Sequence, residues 1–335
     1  MVSTKKLLLL AVGLSLLASL GQWLQHRSQQ PLEGRIGKAL LALDAVGTLD
    51  QVIISKGALR LHIHRVNGVW RLREKSDFPA KGQQLLDFIG LLTAIRPADL
   101  ISENAARLKD FNLLEPDGQA EGAFGIQVKL MAGQESVLDL VIGDDRPSQG
   151  GAPGGRYIRL QGEPQVYLIK EEINIPYMAE DWMQTSLLHL PEQELLSIRI
   201  KAGSKTLHLQ RNAGDVDFAF KGKNVSMAKL RGILTELGNL TLMDAQTQAE
   251  ASRLKLLPVA QVDVTLADGS SLGFALFTED LKEERNHYLK FTEANAAASQ
   301  RFGTTLELGK NWVFELQEWQ LTKWTQALDQ LQAAP

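Results

Sequence analysis

At 335 residues the chain is longer than one hydrophobic core ordinarily grows, so its length predicts two domains. Apolar residues at 44% and charged residues at 22% are those of a folded globular protein and exclude disorder on a large scale. A net charge of -3 leaves no basic surplus for phosphates and argues against a nucleic-acid partner, while zero cysteines exclude disulfides, thiolate nucleophiles and thiolate metal sites.

Near the amino terminus Lys5 and Lys6 precede "LLLLAVGLSLLASLGQWL", Leu7 to Leu24, 18 residues without a charge. As a helix this run spans roughly 27 Å, close to the roughly 30 Å of a bilayer's hydrocarbon core. Trp23 stands where an interfacial aromatic belongs, and the two lysines favour a cytoplasmic amino terminus. The expectation is a membrane anchor and linker over residues 1–30, with the bulk of the chain in the periplasm of a bacterium and a single pass through the inner membrane. A cleaved signal peptide is the competing reading, but its apolar region is normally shorter, and Ser19-Leu20-Gly21 makes a poor cleavage site.

The chain then shows an internal repeat. "VIISKGALRLHIHRVNGVWRL" (Val52 to Leu72) aligns with "IRIKAGSKTLHLQRNAGDVDFAF" (Ile198 to Phe220), each reading as three short antiparallel strands with alternating apolar residues. Next, Leu85, Phe88, Ile89, Leu92 and Ile95 recur at helical spacing between Pro79 and Pro97, and Met227, Leu230, Ile233, Leu234 and Leu237 repeat the stripe. Hairpin signatures follow in both halves, Phe124 to Gly143 and Ala260 to Phe277, and then further strands in which Tyr157 aligns with Tyr288. The predicted fold class is α+β: two tandem, repeated, mainly antiparallel sheet-plus-helix domains, at 45–190 and, as a degenerate copy, 195–330.

The Trp70 strand, the Asp77-Phe78-Pro79-Ala80 start of the helix, "ISENAARLKDFNLLEP", "VIGDDRP" and "GGRYIRLQGEPQVYLI" together resemble the bacterial family called domain of unknown function 4340. The resemblance covers residues 50 to 185 well and the second half as a degenerate copy. It implies a membrane-anchored protein of a kind often encoded beside gliding-motility-type ABC transporters, with permease and ATPase subunits as partners, and it brings no catalytic residues. Where the family has aromatic-Gly-Leu, this chain has Phe111-Asn112-Leu113. Asparagine is the next best residue after glycine for a left-handed helix end, so the same turn is expected. "RLKLLP" in the second half lacks it.

Several residues carry groups capable of chemistry. His62 and His64 share one face of a strand and His208 aligns with His62, a set of imidazoles that can ligate a transition metal. Their alternation with Leu61 and Ile63 instead fits solvated residues on an outer sheet face, so no metal or other cofactor is expected. Asp144 with Asp145, and Glu171 with Glu172, offer acid–base pairs, but adjacent residues diverge and carboxylates beside Gly-Pro segments are ordinarily turn residues. The glycines of "VIGDDRPSQGGAPGGRYIRL" end in Gly155-Arg156 and lead into an alternating strand, so the helix that a phosphate loop requires is missing. Asp144, Asp145, Arg146 and Arg156 are therefore read as a partner-contact loop, and no catalytic residue is assigned. Trp312 reads as core, whereas Trp319 and Trp324 are candidate interface aromatics. The functional expectation is a non-enzymatic, membrane-anchored periplasmic accessory protein of an ABC-type export or envelope-assembly system. A binding module for an envelope polymer or lipid-linked substrate, using a groove between the domains, and a hydrolase are the alternatives.

Overall fold

The computed structural model describes residues 34–332 apart from 117, 119–121, 149–153 and 281–284. The expected anchor over 1–30 lies outside the described residues, among which no helix is long and apolar enough to cross a membrane.

The described chain is α+β, with two large antiparallel sheets and helices. The first half supplies β1 (Gln51–Lys56), β2 (Leu59–Val66), β3 (Val69–Leu72), β4 (Phe78–Pro79), β5 (Asp99–Ser102), β6 (Ile126–Ala132), β7 (Glu135–Arg146), β8 (Gly155–Leu160) and β9 (Val166–Ile169). They form a nine-stranded sheet in the order β4-β3-β2-β1-β6-β7-β8-β9-β5. The second half supplies β10 (Ser186–Leu188), β11 (Leu195–Ala202), β12 (Lys205–Gln210), β13 (Phe218–Phe220), β14 (Lys223–Val225), β15 (Leu240–Thr241), β16 (Asp244–Thr247), β17 (Leu256–Leu266), β18 (Ser271–Glu279), β19 (His287–Ala294) and β20 (Trp312–Leu316). Apart from the small β10-β15 pair, these form a second nine-stranded sheet in the order β14-β13-β12-β11-β17-β18-β19-β20-β16. Strand for strand, the two orders are the same.

Alternation decides which face is buried. Val52 and Ile54 of β1, Val128 and Leu130 of β6, and Leu140 and Ile142 of β7 are almost wholly buried, as are Ile198 and Ile200 of β11 and Val262 and Val264 of β17. The predicted helical stripes form as helices Gly82–Ala94 and Met227–Gly238, burying Leu85, Ile89 and Leu92 in one and Leu230, Ile233 and Leu237 in the other. A further helix, Glu318–Gln332, packs on Met227–Gly238.

A short segment also covers part of the opposite face of each sheet. In the first, the 3-10 segment Ala105–Phe111 brings Leu108, Phe111 and Leu113 onto Val141 and Val166, with Tyr157 beside them. In the second, Ala251 and Leu254 lie on Tyr288, Val313 and Phe277. The aligned tyrosines thus sit in matching satellite clusters.

By density of contacts the described residues group into those up to Arg60 with Leu86–Tyr177, and Leu61–Leu85 with those from Met178 onward. The reason is local to the second unit. Lys81 N–H donates to the Trp182 carbonyl at 2.7 Å, Gln184 N–H to the Pro79 carbonyl at 3.0 Å, and Phe78 meets Trp312 edge-on at 5.6 Å.

Candidate functional site

The predicted partner-contact residues lie where β7 ends and β8 begins. Asp144 receives both its hydrogen bonds, at 2.9 and 2.8 Å, from the Asn112 side-chain amide. Asn112 has φ 51° and ψ 48°, the left-handed residue anticipated from its type. Under that turn runs Gly143, where a Cβ would stand 2.1 Å from the Phe111 carbonyl oxygen; only glycine permits the approach. Asp144 therefore holds a turn in place. Arg156 is similarly engaged, donating from Nε to the Gly143 carbonyl at 2.9 Å and pairing with Asp145 at 3.2 Å. Arg146 differs: with Lys170 it lines an open groove of about 570 Å³, and neither has an ion pair among the described residues. Glu171 and Glu172 line the same groove, the former with Oε2 shielded from solvent and unpartnered. Residues 149–153 of the glycine-rich stretch lie outside the described residues, and β8 follows them as the expected strand.

His62 and His64 do share a face, with ring centroids 5.6 Å apart. The expectation that both are solvated is corrected for His62, which is only 8% exposed. The connection after β3 folds over this face: the Glu74 carboxylate accepts from the His62 backbone N–H, and Asp77 pairs with His64 at 3.3 Å. His208 stands apart from them on the second sheet, its Nε2 3.1 Å from Ser197 Oγ, and burial together with the Arg199 charge holds its pKa below the ordinary value. Among the described residues no three such side chains converge as a metal site.

The tryptophans divide. Trp319 is 51% exposed with the Lys323 ammonium 4.1 Å above its ring, whereas Trp324 is fully buried against Phe274 and offers no surface to a partner. Both lie on one helix, but Trp324 belongs to the stripe that faces the core with Leu321, Leu328 and Leu331.

Two further constellations were not anticipated. The first is an open trench of about 590 Å³ on the outer face of β11, β17 and β18, lined by Ser197, Arg199, Gln261, Asp263, Thr265 and Ser271 among others. The alternation that buries Ile198, Val262 and Val264 turns these side chains outward together. The only sequence signal was the aligned strand pair itself, since no single motif marks a row assembled from three strands.

The second is a polar row at the other end of the same face, where Asp244, Glu315 and Tyr288 stand opposite one another across β16, β20 and β19. Lys75 reaches it, its ammonium 2.8 Å from Glu180 and 2.9 Å from Asp244. Burial opposes the charge on Lys75, but these two hydrogen bonds outweigh it and raise the pKa. Burial, then the negative charges of Asp244 and Glu279, push the Glu315 carboxyl up, with Lys75 opposing. Burial and the same kind of neighbours, Glu315 and Glu279, push the Tyr288 hydroxyl up to about 12.

A family model described as Domain of unknown function (DUF4340) matches residues 70–258, more than half of the chain. The chain belongs to this family. The DUF4340 match begins in β3 and ends in β17, so it takes in most of the first half and part of the second. It contains Asp144, Arg146, Lys75, Ser197 and Arg199, while Asp263, Glu315 and Trp319 lie past its end. No curated protein matches the chain, and no solved structure does.

Proposed function

We propose that this DUF4340 protein is a non-enzymatic, membrane-anchored periplasmic accessory protein of an ABC-type export or envelope-assembly system, working beside separate permease and ATPase subunits. The observation that carries the reading is the charged groove at the β7–β8 end. There Asp144 and Arg156 are committed to holding the chain, and Arg146 and Lys170 are left without ion pairs among the described residues. Charges of this kind on a scaffolded strand end, here the half-buried Arg146 and the exposed Lys170, steer and register a protein partner. The uncharged Leu7–Leu24 run behind two lysines supports the placement, and family membership supports the association.

Affinity purification of the full chain from membranes in mild detergent is the test, with co-purifying subunits identified by mass spectrometry. A permease and an ATPase are expected with the wild type and are expected to be depleted by the double change Arg146→Glu and Lys170→Glu. Recovery of neither subunit with the wild type refutes the reading.

A further inference from the structure

The two sheets carry the same row of positions and fill it differently. In the first, Lys129 of β6 stands opposite Asp139 of β7, 3.5 Å from it, and the Gln127 amide donates to Asp139 at 2.7 Å. The row satisfies itself. In the second, register places Asp263 where Lys129 stands, Gly273 where Asp139 stands and Gln261 where Gln127 stands. The carboxylate has moved one strand over and its cation is gone. Asp263 keeps a single 3.3 Å hydrogen bond from Gln261 among the described residues.

Gly273 makes the vacancy. A Cβ there would come within 2.7 Å of Asp263 Oδ1 and 2.8 Å of Thr292 Oγ1, so any side chain would close the notch between them. Arg199 faces Asp263 directly across β11 and β17, yet it is exposed and makes no ion pair with that carboxylate or any other among the described residues. A planar donor and a planar acceptor therefore stand side by side, with the open notch on the far side of the acceptor.

The lining decides the occupant. Hydroxyls, two amides (Gln261 and Asn295), two carboxylates (Asp263 and Glu293) and a guanidinium dominate it, and Leu272 and Ala294 are its main apolar contribution. An acyl chain or an apolar peptide anchor has nothing to bury against, and charges of both signs disfavour a polyanion. Adjacent sugar hydroxyls, each both donor and acceptor, match this set: a carboxylate accepts from two of them and a guanidinium donates to two. We propose that the second-sheet trench binds a segment of a neutral polyhydroxyl glycan, with neighbouring hydroxyls held by Asp263 and Arg199. The site goes beyond the accessory role and is independent of it, because it lies on other strands and its test requires no transporter.

The test uses the full chain in detergent, titrated with maltohexaose, chitohexaose and, as a probe of simple anion recognition, tetraglutamate, and followed by hydrogen–deuterium exchange. The expected result is binding of at least one sugar with a Kd on the order of 1 mM, with protection concentrated in β11, β17 and β18. Asp263→Ala, at a half-buried position lining the open trench, and Arg199→Ala, at an exposed one, are each expected to weaken it about tenfold without moving the thermal midpoint. Gly273→Val is expected to abolish it; should that variant misfold, the two alanine variants carry the result. No sugar binding at roughly 20 mM, about twentyfold above that Kd, overturns the proposal. So does binding undiminished in both alanine variants, or binding of tetraglutamate alone.

Discussion

At one position of β7 the first sheet has Gly143, lying beneath the Phe111–Asn112 turn; at the matching position of β18, four residues after Gly273, the second has Phe277. The overlying segments differ in the opposite sense. "ARLKDFNLLEP" of the first half becomes "SRLKLLP" in the second, four residues shorter and without Phe111 and Asn112. A large ring thus fills the space beside the tyrosine in both sheets, Phe111 with Tyr157 and Phe277 with Tyr288, but it arrives from opposite sides. The same contrast appears one strand further on, where Leu168 of β9 stands opposite Tyr157 and Glu315 of β20 stands opposite Tyr288. What these pairs teach is that packing volume is preserved between the halves while the side chains supplying it, and the chemistry beside it, are not.

The largest expected effect comes from emptying the first cluster. Phe111 is 6% exposed and meets Tyr157 at 4.7 Å, so Phe111→Ala should cost about 3–5 kcal/mol. Phe277→Ala, partly exposed, should cost less. Urea unfolding of both variants measures the difference, and equal losses would break the comparison.

Gly143→Ala should come next, at about 1–3 kcal/mol, because the new Cβ meets a backbone oxygen that cannot rotate away. If its midpoint matches that of the wild type, the close approach is not the reason for glycine.

Glu315 gives a pH signature without a counterpart in the first sheet. Its pKa is raised in the folded chain, by burial first and then by Asp244 and Glu279. The folded state therefore holds the proton longer than the unfolded one, and stability falls as pH rises from the ordinary carboxylate pKa to the raised folded value. The slope from this one proton is at most about 1.4 kcal/mol per pH unit. Glu315→Leu, which copies Leu168, should remove that slope and raise stability above the window. Thermal midpoints between pH 4 and pH 8 that run parallel in variant and wild type would contradict it.

Asp144→Ala should have the smallest effect, about 1 kcal/mol, from losing two exposed hydrogen bonds to Asn112. Asn112→Gly should partly rescue it, since glycine holds the left-handed conformation without help. A double variant no more stable than the single one would show that Asp144 acts elsewhere.

Much of the architecture was legible because it rests on local periodicity. Period two in Val52 to Leu72 and Ile198 to Phe220, and the three- and four-residue stripes from Leu85 and from Met227, placed strands and helices where they occur. The left-handed Asn112 was readable from residue type alone. Asp144, in contrast, looked like a free turn carboxylate, because its partner is 32 residues away. Trp319 and Trp324 looked alike because five residues along a helix, a rotation of roughly 140°, separate an exposed position from a buried one only when the neighbouring helix is known. By its place in the alternation His62 should be solvated, and nothing in a strand's alternation announces that the chain folds back over its outer face.

By itself the sequence determined the elements, their order and its repetition, since these follow from hydrophobic spacing within about ten residues. Only the tertiary structure decided that Leu61–Leu85 groups with the second unit, that Asp263 stands between Arg199 and a notch made by Gly273, and that Glu315 is buried beside Asp244. Each of these depends on strand register and on contacts between residues far apart in the chain, where a side chain's charge is the same but its dielectric, its neighbours and its access to water are set by the fold.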